Sequence, residues 1–122
     1  MDPWHGVQLT TGQYVVCHGL NSSDLHRVCV VGDDGIVARS YGGQKGSDVG
    51  QLNCPRHLAV DKDSQFIFVA DGSNDSVVLL NPTLEFVRHI GGKQLSDPRR
   101  LHFGNKHRLF VAQQRDVTVV QF

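Results

Sequence analysis

The sequence predicts an all-β fold, a segment of a β-propeller made of about three four-stranded antiparallel blades, the last lacking its fourth strand. Three observations point to it. Pro55, Val69-Ala70 and Val77-Val78 recur as Pro98, Val111-Ala112 and Val117-Thr118, and more faintly as Pro3, Val16-Cys17 and Val28-Cys29. A pattern returning every roughly 40 to 50 residues marks one supersecondary unit used three times. The middle unit holds no sustained 3.6-residue apolar period, so it reads as strands without helix. Its apolar runs Phe66-Ile67-Phe68-Val69 and Val77-Val78-Leu79-Leu80 lack clean alternation, as expected of strands covered on both faces.

In the middle unit Pro55 leads into a first strand, His57-Leu58-Ala59-Val60, and Asp61-Lys62-Asp63-Ser64 is a turn. Gln65 to Ala70 is the second strand, Asp71-Gly72-Ser73-Asn74-Asp75 a second turn, and Ser76 to Leu80 the third strand. Asn81-Pro82 breaks the chain, and Leu84 to Ile90 is the fourth strand before Gly91-Gly92. Turn-prone Asp, Asn, Gly, Ser and Pro between short apolar runs carry each of these boundaries. The first unit reads as strands Gly6–Leu9, Gln13–His18, Arg27–Val31 and Ile36–Tyr41, with a longer loop from Gly19 to His26. The third reads as Arg100–Phe103, Arg108–Ala112 and Val117–Phe122. The expected blades thus span about 1–43, 50–92 and 95–122. Four strands in roughly 40 to 45 residues is the dimension of a propeller blade.

Residues 50–81, GQLNCPRHLAVDKDSQFIFVADGSNDSVVLLN, resemble an NHL repeat. The resemblance rests on Gly50-Gln51, Pro55-Arg56, Ala59-Val60-Asp61, Val69-Ala70-Asp71 and Asn74. The flanking units are degenerate: His18 and Gln113 stand where Asp71 stands, and Pro98-Arg99 alone keeps the opening pair. The resemblance implies six-bladed propellers such as those at the C-terminal end of tripartite-motif ubiquitin ligases. It implies a non-catalytic recognition module for a protein or single-stranded RNA partner, with ligase chemistry in an upstream RING. The alternative is a fragment of a metal-dependent propeller enzyme of the lactonase or amidating-lyase type.

At 122 residues the chain is one domain by length, while propellers close with roughly 4 to 8 blades. Two blade faces are therefore expected to lack neighbours. Either the chain is a piece of a longer protein, the reading preferred here, or two copies pair end to end. The 12 basic and 12 acidic side chains cancel, but unevenly. Residues 93–122 carry 6 basic groups (Lys93, Arg99, Arg100, Lys106, Arg108, Arg115) against Asp97 and Asp116. Such a patch favours phosphates or acidic protein surfaces. The three cysteines, Cys17, Cys29 and Cys54, have neither even number nor metal-ligand spacing. Cys17 and Cys29 fall where the middle unit has Ala70 and Val78, and read as small buried hydrophobes. With no secretory leader or membrane span in MDPWHGVQL, the expectation is a cytoplasmic protein.

The blade order places Arg56, His57, Arg99, Arg100 and Arg115 on one rim, with His18, Arg27, Asp71 and Asp75. Asp61, Asp63, Lys106, His107, Asp33 and Asp34 fall on the other. Arg56, His57, Arg99, Arg100 and Arg115 are the candidate binding residues, because guanidinium groups make bidentate contacts with carboxylate or phosphate. The Pro-Arg arginines have a structural reading too, tying adjacent loops to backbone carbonyls. Asp71, opening a tight turn, reads as a cap for backbone N–H groups. His5, His18, His26, His57, His89, His102 and His107 form no HxH or HxxxH pair. No metal, cofactor or catalytic residue is expected, though His57 and His102 lie near the starts of innermost strands. Nor does a phosphate loop, GxSxG elbow or HExxH occur. Gly42-Gly43-Gln44-Lys45-Gly46 reads as a linker. Phe66, Phe68, Phe86, Phe103 and Phe110 read as core, and Trp4 as either inter-blade packing or a stacking platform.

Overall fold

The computed structural model describes residues 3–19, 24–91 and 94–122, and of Pro3 and Trp4 the backbone alone. The fold is all-β, with three antiparallel sheets each built from strands consecutive in sequence. The first contains β1 (Pro3–Gln8), β2 (Tyr14–His18), β3 (Leu25–Val31) and β4 (Val37–Gln44). The second contains β5 (Pro55–Val60), β6 (Ile67–Asp71), β7 (Ser76–Leu80) and β8 (Phe86–Ile90). The third contains β9 (Arg100–Gly104), β10 (Arg108–Ala112) and β11 (Val117–Gln121). One connection winds through a single turn of 3-10 helix, Gly72–Asn74, and another, Asn105–His107, makes a tight turn with Lys106 and His107 at left-handed φ of 61° and 54°.

Each hairpin is set by its turn chemistry. Asp61 accepts from the Asp63 amide and the Ser64 hydroxyl, and Asn81 accepts from the Thr83 and Glu85 amides. These side chains mimic a backbone turn and fix the register of the strands beyond them. The expected boundaries hold to within a few residues, with two departures. Gly42 to Gln44, read as linker, continues β4 and pairs with β3 back to Leu25. Phe66 lies just outside β6, where it still packs against the core.

The sheets pack in series, with β1 beside β5 and β5 beside β9. Period-two alternation sends successive side chains of a strand to opposite faces, so the second sheet feeds two cores. Leu58, Ile67, Val69, Val78 and Leu80 pack with Val15, Cys17, Val28, Val30 and Tyr41 of the first sheet. Ala59, Phe68, Ala70, Val77 and Leu79 pack with Leu101, Leu109 and Val111 of the third. Every residue of β6 is buried, which explains a strand sequence without alternation. The far face of the third sheet is open among the described residues: Val117 and Val119 there are 59% and 50% exposed.

The two cores differ sharply from that open face in what a truncation removes. Leu58→Ala, at a residue 1% exposed, is expected to cost about 2–5 kcal/mol in urea unfolding. Val117→Ala on the open face is expected to stay within about 0.5 kcal/mol of the parent.

Candidate functional site

The first strands of neighbouring sheets begin side by side, and their opening residues make the site. Pairing of β1 with β2 skips a residue between Pro3 and His5, and pairing of β5 with β6 skips one between Pro55 and His57. A bulge inserts an unpaired residue and re-aims side chains beside it. Arg56 is that residue in β5. It swings toward the third sheet, while His5 and His57 sit at matching positions opposite Cys17 and Ala70.

The two imidazoles repeat one interaction. His5 Nδ1 accepts the Leu58 amide at 3.2 Å, and His57 Nδ1 accepts the Leu101 amide at 3.1 Å. Each inner strand is thereby bonded to the next through a histidine of its predecessor. The rings stack at 3.8 Å between centroids, 24° from parallel. Arg100 holds the same register position in β9, opposite Ala112. Burial, then the neighbouring His5, then Arg100, pull His57 down to about 4. Burial and Arg100 lower His5 as well. Both rings are therefore neutral near pH 7, and an Nδ1 acting as acceptor leaves the proton on Nε2.

Arginines complete the cluster. His5, Arg56, His57, Arg99 and Arg100 line one open cleft of about 480 Å³. Two of the three guanidinium groups are engaged. Asp97 Oδ1 takes Arg56 Nε at 3.1 Å, and its Oδ2 takes Arg99 Nη2 at 3.1 Å. The loop-tying partner of the Pro-Arg arginines is thus a carboxylate where a carbonyl was expected. Asp97 is itself positioned by Asp75, whose Oδ1 accepts the Asp97 amide at 2.7 Å. Gly72 makes room for the pair, since a Cβ there would lie 2.6 Å from Arg56 Nε. Arg100 is exposed and has no ion-pair partner among the described residues.

Asp71 serves the scaffold under this cleft. Its side chain does not cap the turn it opens. Its Oδ1 accepts the Asn53 amide at 2.7 Å and its Oδ2 the Asn74 side chain at 2.8 Å, while Asn74 also donates to the Gly46 carbonyl. The carboxyl so joins the linker between the first two sheets to the turn before β7. Burial raises it to about 6 against those hydrogen bonds, which lower it.

The other candidates lie elsewhere. Arg115 lines a separate hollow with Ser96, Gln113 and Asp116. Asp61, Asp63, Lys106 and His107, expected together on the opposite rim, line one hollow with His102. His57 and His102 are therefore at opposite ends of the inner strands. Among the described residues no group of three His, Cys, Asp or Glu side chains is placed to hold a metal ion. All three cysteines are buried, and burial pushes Cys17 up to about 12. The Trp4 side chain lies outside the described residues. His5 is the residue that sequence reasoning missed. Its signal was the recurrence of Pro-x-His at Pro3-Trp4-His5 and Pro55-Arg56-His57.

No protein-family model matches the chain, and no curated protein matches it. Among solved structures, it is similar to a crystal structure of a protein of unknown function from Bacteroides caccae, with a TM-score of 0.73 and 17% sequence identity. The match covers 98% of this chain and 46% of that one, so the chain spans less than half the length of its structural neighbour. At this identity the likeness concerns the fold alone.

The neutral, bonded state of His57 has a pH signature. Its folded value of about 4 lies below the ordinary 6.5. Its contribution to stability is therefore complete above pH 6.5 and lost as pH falls toward 4. Asp71, raised from 3.8 to about 6, acts in the opposite sense, its contribution being lost as pH rises through 6. His57→Asn keeps an acceptor for the Leu101 amide but does not titrate, and Asp71 cancels in the comparison. The urea midpoint of the parent is expected to fall relative to His57→Asn between pH 6.5 and 4. A ring that titrates near 6.5 by NMR contradicts the geometry.

Proposed function

We propose that the chain is a segment of an NHL-type β-propeller serving as a non-catalytic recognition module, whose cleft at the start of the inner strands binds an acidic protein segment. Serial sheets with adjacent first strands, and a solved neighbour more than twice as long, support the propeller reading. The observation that carries the functional reading is the convergence of Arg56, Arg99 and Arg100 with two neutral histidines in one open cleft. Among the described residues Asp97 is the one ion-pair partner of those three guanidinium groups, so the cleft keeps a net positive charge of two, with Arg100 unpaired. An exposed, uncompensated Arg presents a planar fork to a carboxylate.

Acidic protein is favoured over single-stranded RNA because, among the described residues, the cleft presents no open aromatic stacking platform. Binding of single strands relies on aromatic faces open to bases. Here the stacked faces of His5 and His57 cover one another. Phe68, Phe103 and Phe122 pack together, with Phe68 and Phe103 centroids 4.9 Å apart, and Phe103 belongs to the hollow at the opposite end. The buried free thiols of Cys17 and Cys29 suit a reducing compartment, and a tripartite-motif-like ligase chain is the setting that the NHL resemblance suggests. Among the described residues no helix is long and apolar enough to cross a membrane.

Arg100→Ala separates recognition from stability, because this side chain is exposed. It is expected to weaken binding of a Glu-rich peptide about five- to tenfold in fluorescence anisotropy, with an unchanged melting temperature. Arg56→Ala, which breaks the pair with Asp97, is expected to lower the melting temperature as well. Tighter binding of a single-stranded RNA than of the peptide overturns the reading.

A further inference from the structure

The cleft contains donors beyond its arginines. A histidine whose Nδ1 accepts a backbone amide holds its proton on Nε2, at the other edge of the ring. Both His5 and His57 are fixed in this way. The same backbone bond orients both rings, and they stack face to face, so their Nε2 edges are turned the same way. Both rings line the cleft. Neither Nε2 meets a protein partner among the described residues. The repeat therefore presents two N–H donors side by side, with Arg100 at the next position of the series.

We propose that the Nε2–H groups of His5 and His57, together with the Arg100 guanidinium, form an oxyanion subsite that takes a carboxylate or phosphoryl group. Its ligand chemistry follows from the signs. A carboxylate or phosphoryl oxygen accepts from both ring N–H groups and pairs with the guanidinium, and charge-assisted bonds of this kind are about twice as strong as neutral ones. A divalent cation needs bare ring nitrogens and meets Arg100 instead. Arg100 lines the same cleft as both imidazoles, which places its charge beside the same ligand. Arg56 and Arg99, held by Asp97, border the subsite and leave it open.

This subsite deepens the acidic-segment reading and rests on it for its biological ligand, yet the two fail separately. Long-range proton–nitrogen NMR of the full chain reports the tautomer of each histidine. The expectation is the Nε2–H form at His5 and His57. Titration with inorganic phosphate, and in a second arm with acetate, is expected to shift both Nε2 signals, and the stronger arm identifies the oxyanion preferred. Arg100→Ala is expected to weaken this response about tenfold, as is His57→Asn. Nδ1–H tautomers, unmoved Nε2 signals, or a zinc complex formed with loss of the Nε2 protons each overturn the subsite. If the Glu-rich peptide binds while His57→Asn and the parent respond alike, the subsite falls and the recognition reading stands. If phosphate or acetate shifts the rings but no acidic peptide binds, the recognition reading falls and the subsite stands.

Discussion

Burial of the second sheet on both faces is the constraint from which the rest of the structure follows. A β-strand alternates its side chains between faces, and a sheet with one wet face alternates apolar with polar. β6 and β7 do not: Ile67, Val69, Val78 and Leu80 enter one core while Phe68, Ala70, Val77 and Leu79 enter the other. Such a sheet needs a neighbour on each side. The serial packing of three sheets is the arrangement that supplies both neighbours.

Serial packing brings the first strands together, and the polar interactions at their ends depend on that approach. An inner strand flanked by another has backbone amides facing across the gap, and a buried amide must find an acceptor. His5 and His57 provide one each, for Leu58 and Leu101. Similar cross-links recur around the scaffold: Asp71 accepts the Asn53 amide, His26 Nδ1 accepts the Cys54 amide, and Asp75 accepts the Asp97 amide. Side chain to backbone bonds, with few ion pairs, hold the sheets in register. The same geometry leaves Nε2 edges and guanidinium groups converging on a single cleft. Scaffold and candidate site share residues there.

Much of this was legible in the sequence. The recurrence of Pro55 and Val69-Ala70 at Pro98 and Val111-Ala112, and more faintly at Pro3 and Val16-Cys17, pointed to three consecutive sets of strands, and two strands, Ser76–Leu80 and Arg108–Ala112, match their expected bounds. Turn chemistry at Asp61 and Asn81 is local, which is why short-range reading found it. The pairing of Arg56 and Arg99 with Asp97 was not legible, because it depends on where the bulge at Pro55 aims Arg56. Gly42 and Gly43 concealed the end of β4, since glycine signals a turn but is also tolerated on an outer strand. Asp71 caps a backbone N–H, as its place before a tight turn suggests, but it is that of Asn53, 18 residues back, while within its own turn it meets the Asn74 side chain. Strand pairing puts the Arg115 loop and Arg100 at the same end of the third sheet, yet order along a strand does not fix the distance between loops.

Site-resolved hydrogen exchange tests the central claim most directly, since protection follows the burial and packing of each strand. If the second sheet is enclosed by its neighbours, the amides of Val69, Ala70, Val77 and Val78 exchange slowest of all, and those of β11 far faster. Equal protection in β6 and β11, or faster exchange in β6, means that the second sheet is not enclosed, and the cleft built on that packing goes with it.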